Sequence, residues 1–422
     1  MKLNEAAARV GTPQPDWSLA QWLAWQERLH PNRIDLGLER VRRVALRLGL
    51  LPARAATLTI TGTNGKGSSA VLAAAIYRAA GYRTACYTSP HLLRYNERVT
   101  IDGVPAADAE LCTAFAAVEA VRGDVSLTYF EFGTLAALWL FRRARVEVQV
   151  LEVGLGGRLD AVNIVDADAS IVTEIGLDHM EWLGPDRESI GREKAGIYRA
   201  LRPAICVDPD PPRSLLAGAR HSDLLRIGVD FTWQRAGQGW TWQGRRNRLT
   251  DLPPPALPGE IQFRNGAGVL AAVEILQGLR PVSRAAMEAG LIGVRLPGRL
   301  ERHGDLLLDV AHNAEAITVL VDYVRAQSWR PRALVIGMMR DKPVEAVAAL
   351  LHPLFDTVYA AGLPRPRGLS GVELAARLAT AGMRPCVALD VPVALAAARA
   401  GRGSGRIVVC GSFKTVAAAL SC

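Results

Sequence analysis

The residues with most to offer chemically begin at Gly62-Thr63-Asn64-Gly65-Lys66-Gly67-Ser68. An apolar, β-branched run, Leu58-Thr59-Ile60-Thr61, feeds this loop, and a helical pattern from Ser69 to Ala80 leaves it. Strand, glycine loop and helix start in that order turn backbone N–H groups inward and add the positive end of a helix, which suits an anion. Lys66 offers a full charge to outer phosphates and Ser68 a hydroxyl near magnesium. The strict phosphate-loop spacing would need glycine at Ile60 and Ser or Thr at Gly67, so the loop is a compressed form. Taken alone, the same letters also fit a glycine-rich turn with a surface lysine.

Further candidates sit where strands should end. Val146–Val153 reads as a buried strand closing on Glu152, and a buried carboxylate is costly unless paired or bound to a cation. Hard oxygen donors suit magnesium, so Glu152 is a candidate ligand. The loop from Gly154 to Asp160 is glycine-rich and can approach a ligand closely. His179 follows the strand Ala169–Thr173 and is a second metal candidate, although a lone histidine is more often structural. Ser89-Pro90-His91 follows the strand Arg83–Thr88, where Ser89 would offer an oxygen to a metal and Arg98 a charge to a carboxylate. A proline turn with surface charges is the other reading there. Asp35 either caps the helix Leu38–Leu48 or binds. Phe130 and its neighbours, ahead of a helix Gly133–Arg143, are core or a stacking face for a flat ring. Asn265 opens a helix, Asn265–Gln277, as an N-cap, and Lys194, in the helix Glu188–Tyr198, reads alone as a solvated or ion-paired lysine.

The elements that must hold these groups alternate strand and helix, which predicts an α/β fold with mostly parallel sheets. With 422 residues the chain exceeds one ordinary core, so two domains are expected, residues 1–296 and 297–422, hinged near Leu296-Pro297-Gly298-Arg299. Between Asp208 and Gly259 prolines, tryptophans and glycines dominate, and alternation around Trp233–Arg245 predicts a small antiparallel excursion. In the second domain, strands are expected at Leu306–Val310, Ala333–Gly337, Thr357–Ala360, Pro385–Leu389 and Arg406–Cys410, the first ending on Asp309-Val310-Ala311-His312-Asn313. Trp22 and Trp25 recur at helical spacing and read as packing. Six cysteines are scattered without CxxC pairs, against a zinc site or disulfide framework and in keeping with a reducing cytoplasm. Met1-Lys2-Leu3-Asn4-Glu5 starts no signal-peptide apolar region, and no run is long enough to span a membrane. The net charge of +9 is dispersed and lacks RNA-reading aromatic motifs, so small polyanions explain it as well as nucleic acid does.

Taken together, the motifs resemble the Mur ligase superfamily, and within it the bacterial bifunctional dihydrofolate synthase/folylpolyglutamate synthase family. The resemblance runs from about Trp22 to Ala418, through Ile34–Val41, Gly62–Ser68, Ser89–Leu92 with Asn96–Arg98, Thr128–Glu131, Glu152–Asp160 with Asn163, Leu177–His179, Glu193–Ile197, Leu296–Arg299, Asp309–Asn313 and Gly411–Phe413. It implies an N-terminal Mur-ligase-type ATPase domain and a smaller, Rossmann-like C-terminal domain. The implied activity is ATP-dependent ligation of L-glutamate to 7,8-dihydropteroate and to reduced folates through an acyl phosphate. That chemistry needs charge neutralisation, an in-line carboxylate and a dry site, for which closure of two domains is expected.

Carried over position by position, the resemblance gives Gly65, Lys66, Gly67, Ser68, Asn265, Arg299 and Asp309 to ATP. Ser89, Glu152 and His179 match magnesium ligands, and Lys194 matches a lysine carbamylated by CO2 that binds a second magnesium ion. Asp35, Leu36 and Gly37, with Thr128, Tyr129, Phe130 and Glu131, and with Leu159, Asp160 and Ala161, match dihydropteroate-binding loops. Arg98 and His312, with Ser89, resemble glutamate contacts; Lys66, Lys194 and His312 are the implied catalytic residues. The chain departs from the family at Lys414, where the last motif often carries histidine, and at Ala314, which replaces a proline. A cytoplasmic monomer acting on small molecules, without nucleic acid or membrane, is expected. A monofunctional folylpolyglutamate synthase and a nucleotide-binding regulatory protein are the alternatives; a cell-wall Mur ligase would lack Ile34–Val41 and Thr128–Glu131. All of it requires Gly65–Ser68 to share one crevice with Glu152 and His179.

Overall fold

The structure, a computed structural model, describes residues 11, 13–14, 16–401 and 405–422. The reading of Met1–Glu5 therefore lies outside the described residues. The chain divides into two compact units: one of the described residues to Pro255 with Arg264–Val294, the other of Ala256–Phe263 with Arg295–Cys422.

The first unit opens with helices α1 (Leu19–Leu29) and α2 (Glu39–Arg47). Strand β1 (Ala56–Thr61), helix α3 (Lys66–Ala79) and strand β2 (Thr84–Tyr87) follow, then the short strands β3 (Val99–Ile101) and β4 (Val104–Pro105). Helices α4 (Asp108–Arg122) and α5 (Tyr129–Arg143) lead to β5 (Val148–Glu152) and β6 (Ala169–Val172). After α6 (Met180–Leu183) and α7 (Arg187–Ala195) come β7 (Pro203–Cys206), α8 (Arg213–Gly218) and β8 (Asp223–Arg226). These strands form one eight-stranded sheet in the order β4-β3-β2-β5-β1-β6-β7-β8. From β2 to β8 every pairing is parallel, and β3 and β4 add an antiparallel edge.

Strands β1, β5 and β6 are buried on both faces, with Thr57, Thr59, Thr61 and Gln149 among their buried polar residues, as at the centre of a parallel sheet covered on both sides. Trp22 and Trp25 are buried in the core of this unit, meeting edge to face at 5.8 Å, as packing predicts. The expected antiparallel excursion is a separate three-stranded sheet of β9 (Thr232–Ala236), β10 (Gly239–Gln243) and β11 (Arg248–Leu252). Trp240 and Trp242 are its buried anchors, the latter donating to Ala267 O at 3.1 Å. Helices α9 (Ile261–Ile275) and α10 (Arg284–Gly293) complete the series.

In the second unit lie β12 (Glu301–His303), β13 (Leu306–Leu308), α11 (Ala314–Arg325), β14 (Pro331–Ile336) and α12 (Val344–Leu351). Strand β15 (Val358–Ala361), α13 (Gly371–Ala379), β16 (Cys386–Ala388), α14 (Val391–Ala400), β17 (Arg406–Cys410) and α15 (Phe413–Leu420) complete it. Its sheet runs β12-β13-β17-β14-β15-β16, parallel except for β12. Both units are thus α/β, as alternation predicts. Among the described residues no helix is long and apolar enough to cross a membrane.

Three helix starts differ from expectation by more than one residue. Helix α3 begins at Lys66, not Ser69, because left-handed Gly65 (φ 90°) serves as its N-cap. Helix α5 begins at Tyr129, not Gly133, because Thr128 and Glu131 close a capping box. Helix α9 begins at Ile261, which puts Asn265 inside the helix rather than at its cap. Asp35 does not cap α2 either: no side chain caps that helix, and Asp35 pairs with Arg40 instead.

Candidate active site

Strand order reverses around β1, and ligands of open α/β sheets gather beyond the carboxyl ends at such a point. Ile60, near the end of β1, pairs in register with Glu152 at the end of β5, and Thr61 pairs with Val172 at the end of β6. The loops that follow are locked to one another. Thr61 Oγ1 donates to Gly156 O (2.6 Å), Thr173 Oγ1 to Asn64 O (2.6 Å) and Thr63 Oγ1 to Gly176 O (3.0 Å). Gly62 (φ 149°) is forced by this closeness, since a Cβ there would lie 1.7 Å from Thr173 Oγ1. The expected meeting of Gly65–Ser68 with the segments carrying Glu152 and His179 therefore occurs within the first unit.

Around this crevice the polar groups are placed with few liberties. The first bond inside α3 runs from Ser69 N to Gly65 O, so the amides of its first turn precede the helical ladder and form the anion-facing end. Buried Asn265 packs its amide on Gly65, where a Cβ would meet Oδ1 at 2.7 Å. Glu152 is buried and accepts from Ser89 N at 2.9 Å, which ties the loop after β2 to the end of β5. His179 takes a left-handed backbone (φ 53°) at the start of α6, and its N–H bonds to Asp178 Oδ1 at 2.9 Å. Such a conformation in a non-glycine residue is a strained one of the kind that collects at functional sites.

Two lysines meet at one carbonyl. Lys66 Nζ donates to Gly62 O (3.0 Å) and Thr63 O (3.1 Å), and Lys194 Nζ donates to the same Gly62 O at 2.7 Å. Lys194 is buried, and that burial, reinforced by the Lys66 charge, pushes its amine well below the ordinary lysine range against the pull of Asp178 and Asp160. Its helix α7 is docked on the glycine loop: Arg158 N donates to Glu193 O (2.8 Å), and a Cβ on Gly157 would lie 2.9 Å from that oxygen. Arg187, not anticipated from sequence, braces the segment leading to His179. It donates to Ile175 O (2.9 Å) and pairs with Asp208 (3.1 Å), whose carboxylate accepts from Ile175 N.

A second cluster lies among the segments 34–41, 128–131 and 159–161. Asp160 is buried, caps the turn Ala161–Ile164 and accepts from Leu155 N and Val162 N. Burial lifts its carboxyl to about 7 in spite of those amides. Gly37 N donates to Leu159 O (3.2 Å), bringing the Asp35-Leu36-Gly37 loop to that turn. Phe130 faces Tyr87 at 5.9 Å and occupies the space a Cβ on Gly154 would need. Arg98 lies over Tyr95 and Tyr129 and donates from Nε to His91 Nδ1 at 2.9 Å.

In the second unit, Asp309 is buried and accepts from Leu300 N and Ala311 N, both at 2.8 Å. Burial raises its carboxyl, and the Arg299 charge opposes that rise. Arg299 lies over the Phe413 ring at 5.2 Å, and His312 Nδ1 is 2.9 Å from Val310 O. The groups expected at the end of the first strand of this unit thus form one cluster with the start of α15.

A glycine phosphate cradle at a switch point, a buried strand-end carboxylate and a second α/β unit define a nucleotide-dependent ligase class. Residues 60–228 match the model of the Mur ligase middle domain, and residues 298–413 that of the Mur ligase glutamate ligase domain. The dihydrofolate synthase/folylpolyglutamate synthase of Escherichia coli K12 is 44% identical over 412 residues, 96% of either chain. A solved Escherichia coli FolC in complex with DHPP and ADP superposes with a TM-score of 0.92 at 43% identity, covering 97% of this chain and 98% of that one. A bifunctional folylpolyglutamate synthase/dihydrofolate synthase with Mn, AMPPNP and L-glutamate bound gives 0.90 at 44% identity, covering 97% and 99%. The chain belongs to the dihydrofolate synthase/folylpolyglutamate synthase family of Mur ligases.

Proposed function

We propose that this protein ligates L-glutamate to 7,8-dihydropteroate and adds further glutamates to reduced folates, each step converting ATP to ADP and phosphate. The acceptor carboxylate oxygen bonds to the γ-phosphorus as ADP leaves; the glutamate amine then bonds to the acyl carbon, loses a proton and expels phosphate. The observation that carries this reading is that Lys66 and Lys194 share Gly62 O just beyond the end of β1, beside the β5 end where Glu152 accepts from Ser89 N.

Gly65, Lys66, Gly67, Ser68 and Asn265 bind ATP on this reading, with Arg299 and Asp309 of the second unit. Among the described residues no group of three or more His, Cys, Asp or Glu is gathered as a metal cluster. The donors present still fit magnesium, because a serine hydroxyl, a buried carboxylate and an imidazole (Ser89, Glu152, His179) leave positions for phosphate and water. Magnesium there would neutralise phosphate charge. Lys194 fits carbamylation, because burial lowers its pKa and favours the neutral form that attacks CO2; the N–C bond forms and a proton leaves nitrogen. The carbamate would then serve a second magnesium ion. The segments at Asp35, Thr128 and Leu159 take the pterin, and Arg98 and His312 the glutamate. Cytoplasmic location and a monomeric state complete the proposal, consistent with six unbridged cysteines.

Purified protein with dihydropteroate, ATP and glutamate should release ADP and dihydrofolate. ADP release only with a reduced folate would favour the monofunctional synthase, and nucleotide binding without glutamate-dependent ADP release a regulatory protein.

A further inference from the structure

We infer that Arg40 is the clasp of the acceptor wall, a positioning residue that fixes the three pterin-side segments as one surface. This rests on the reading of those segments given above. Arg40 sits in the first turn of α2 and reaches backward and across. Its Nη1 pairs with Asp35 Oδ2 at 2.9 Å, and its Nη2 donates to Asp35 O at 2.6 Å. The same Nη2 lies 3.2 Å from Glu131 Oε1. One guanidinium thus joins the loop before α2 to the start of α5. The third segment is tied to the first by Gly37 N and Leu159 O at 3.2 Å.

Glu131 identifies the partner of this clasp. Glu131 is 3% exposed, so its carboxylate is withdrawn from solvent. Oε2 accepts from Thr128 N at 2.8 Å, closing the capping box, and Oε1 faces Arg40. A glutamine would close the same box, whereas a buried carboxylate needs a cation to offset its desolvation. Arg40 Nε and Glu131 Oε1 are also buried without a hydrogen bond of their own, a cost that ordinary packing would avoid. The pair makes sense as a charge contact kept for orientation. Only a planar fork reaches two carboxylates and a carbonyl at once, so lysine would not substitute.

Without the clasp, the loops carrying Asp35–Gly37 and Thr128–Glu131 separate, and the flat acceptor meets a wall that must be ordered on binding. The nucleotide loop is built from other bonds and stays as it is. Arg40→Ala should raise KM for dihydropteroate on the order of tenfold, as expected when positioning is lost. KM for ATP should stay within about twofold, because independent sites do not couple. Amide hydrogen exchange of the substrate-free protein should quicken at 35–37, 128–131 and 159–161 but not at 62–68. Arg40→Lys should behave as Arg40→Ala does, and it carries the test if the alanine variant fails to fold. Equal rises in both KM values, or unchanged exchange in the three segments, would overturn the clasp. Exchange needs no substrate, so a wild-type protein inert to dihydropteroate would refute the functional reading while the clasp is still judged.

Discussion

At the scale of single residues, Lys194 is the most informative. Two amines donating to Gly62 O cannot both carry full charge cheaply when one of them is buried. Burial and the Lys66 charge both push the Lys194 amine well below the ordinary lysine range, against Asp178 and Asp160. A lysine so biased toward its neutral form is what the proposed carbamylation by CO2 needs. On the proposed reading, replacing Lys194 removes the carbamate's negative charge. Lys194→Ala should slow turnover on the order of a hundredfold or more, the scale of losing one preorganised electrostatic group. Short carboxylates such as formate or acetate should restore part of the rate by occupying the vacated position. Full activity of the variant, with no response to added carboxylate, would exclude the carbamate.

At the scale of elements, the β1–loop–α3 unit depends on Gly65 twice, for its left-handed φ of 90° and for the space filled by Asn265. Gly65→Ala should cost about 1–3 kcal/mol in stability from backbone strain alone. Thermal unfolding would show this, and nucleotide affinity should fall with it; an unchanged melting temperature would mean the loop relaxes freely. Helix α13 offers a pH-dependent case. Ser370 N–H, then Arg340 and the Ser370 hydroxyl, hold the Glu373 carboxyl down to about 2. A depressed native value means the unfolded chain binds the proton first, so the stabilisation is full above the unfolded pKa and is lost as pH falls toward 2. The melting temperature of Glu373→Gln should therefore lie below that of the wild type at pH 7 and meet it near pH 2. Persistence of the gap in acid would show that charge is not its source. Such elements were largely legible, because buried parallel strands and amphipathic helices announce themselves locally. Helix starts are less so: Thr128-x-x-Glu131 is a capping signal, but the aromatics inside it read as core or a stacking face ahead of a helix at Gly133, and Asn265 reads as a cap although the helix begins at Ile261. The short α8 and β8 were lost in a stretch dominated by proline and tryptophan. Gly62–Ser68, Glu152 and His179 stand out as candidates from their place after strands. Arg40 and Arg187 do not, since the reach of Arg40 to Glu131 and of Arg187 to Asp208 leaves no local pattern.

For the molecule as a whole, the question is how one chain serves two acceptors. The sequence holds a single Gly-Lys-Gly-Ser loop, and each phosphoryl transfer needs such a cradle beside the acceptor carboxylate. The segments at Asp35, Thr128 and Leu159 are likewise tied into one cluster by Arg40 and by the Gly37–Leu159 bond. If both acceptors present a pterin to that cluster, occupancy by one excludes the other. Dihydropteroate should then inhibit glutamate addition to a reduced folate competitively, with an inhibition constant close to its own KM. Lineweaver plots at fixed ATP and glutamate should share an intercept and differ in slope. The positive net charge adds a shared salt response, since both acceptors and both cosubstrates are anions and approach a molecule of charge +9. Raising ionic strength should therefore weaken both reactions in parallel. Additive rates with the two acceptors together, or a salt response in only one of them, would require a second acceptor site and would separate the two activities within this chain.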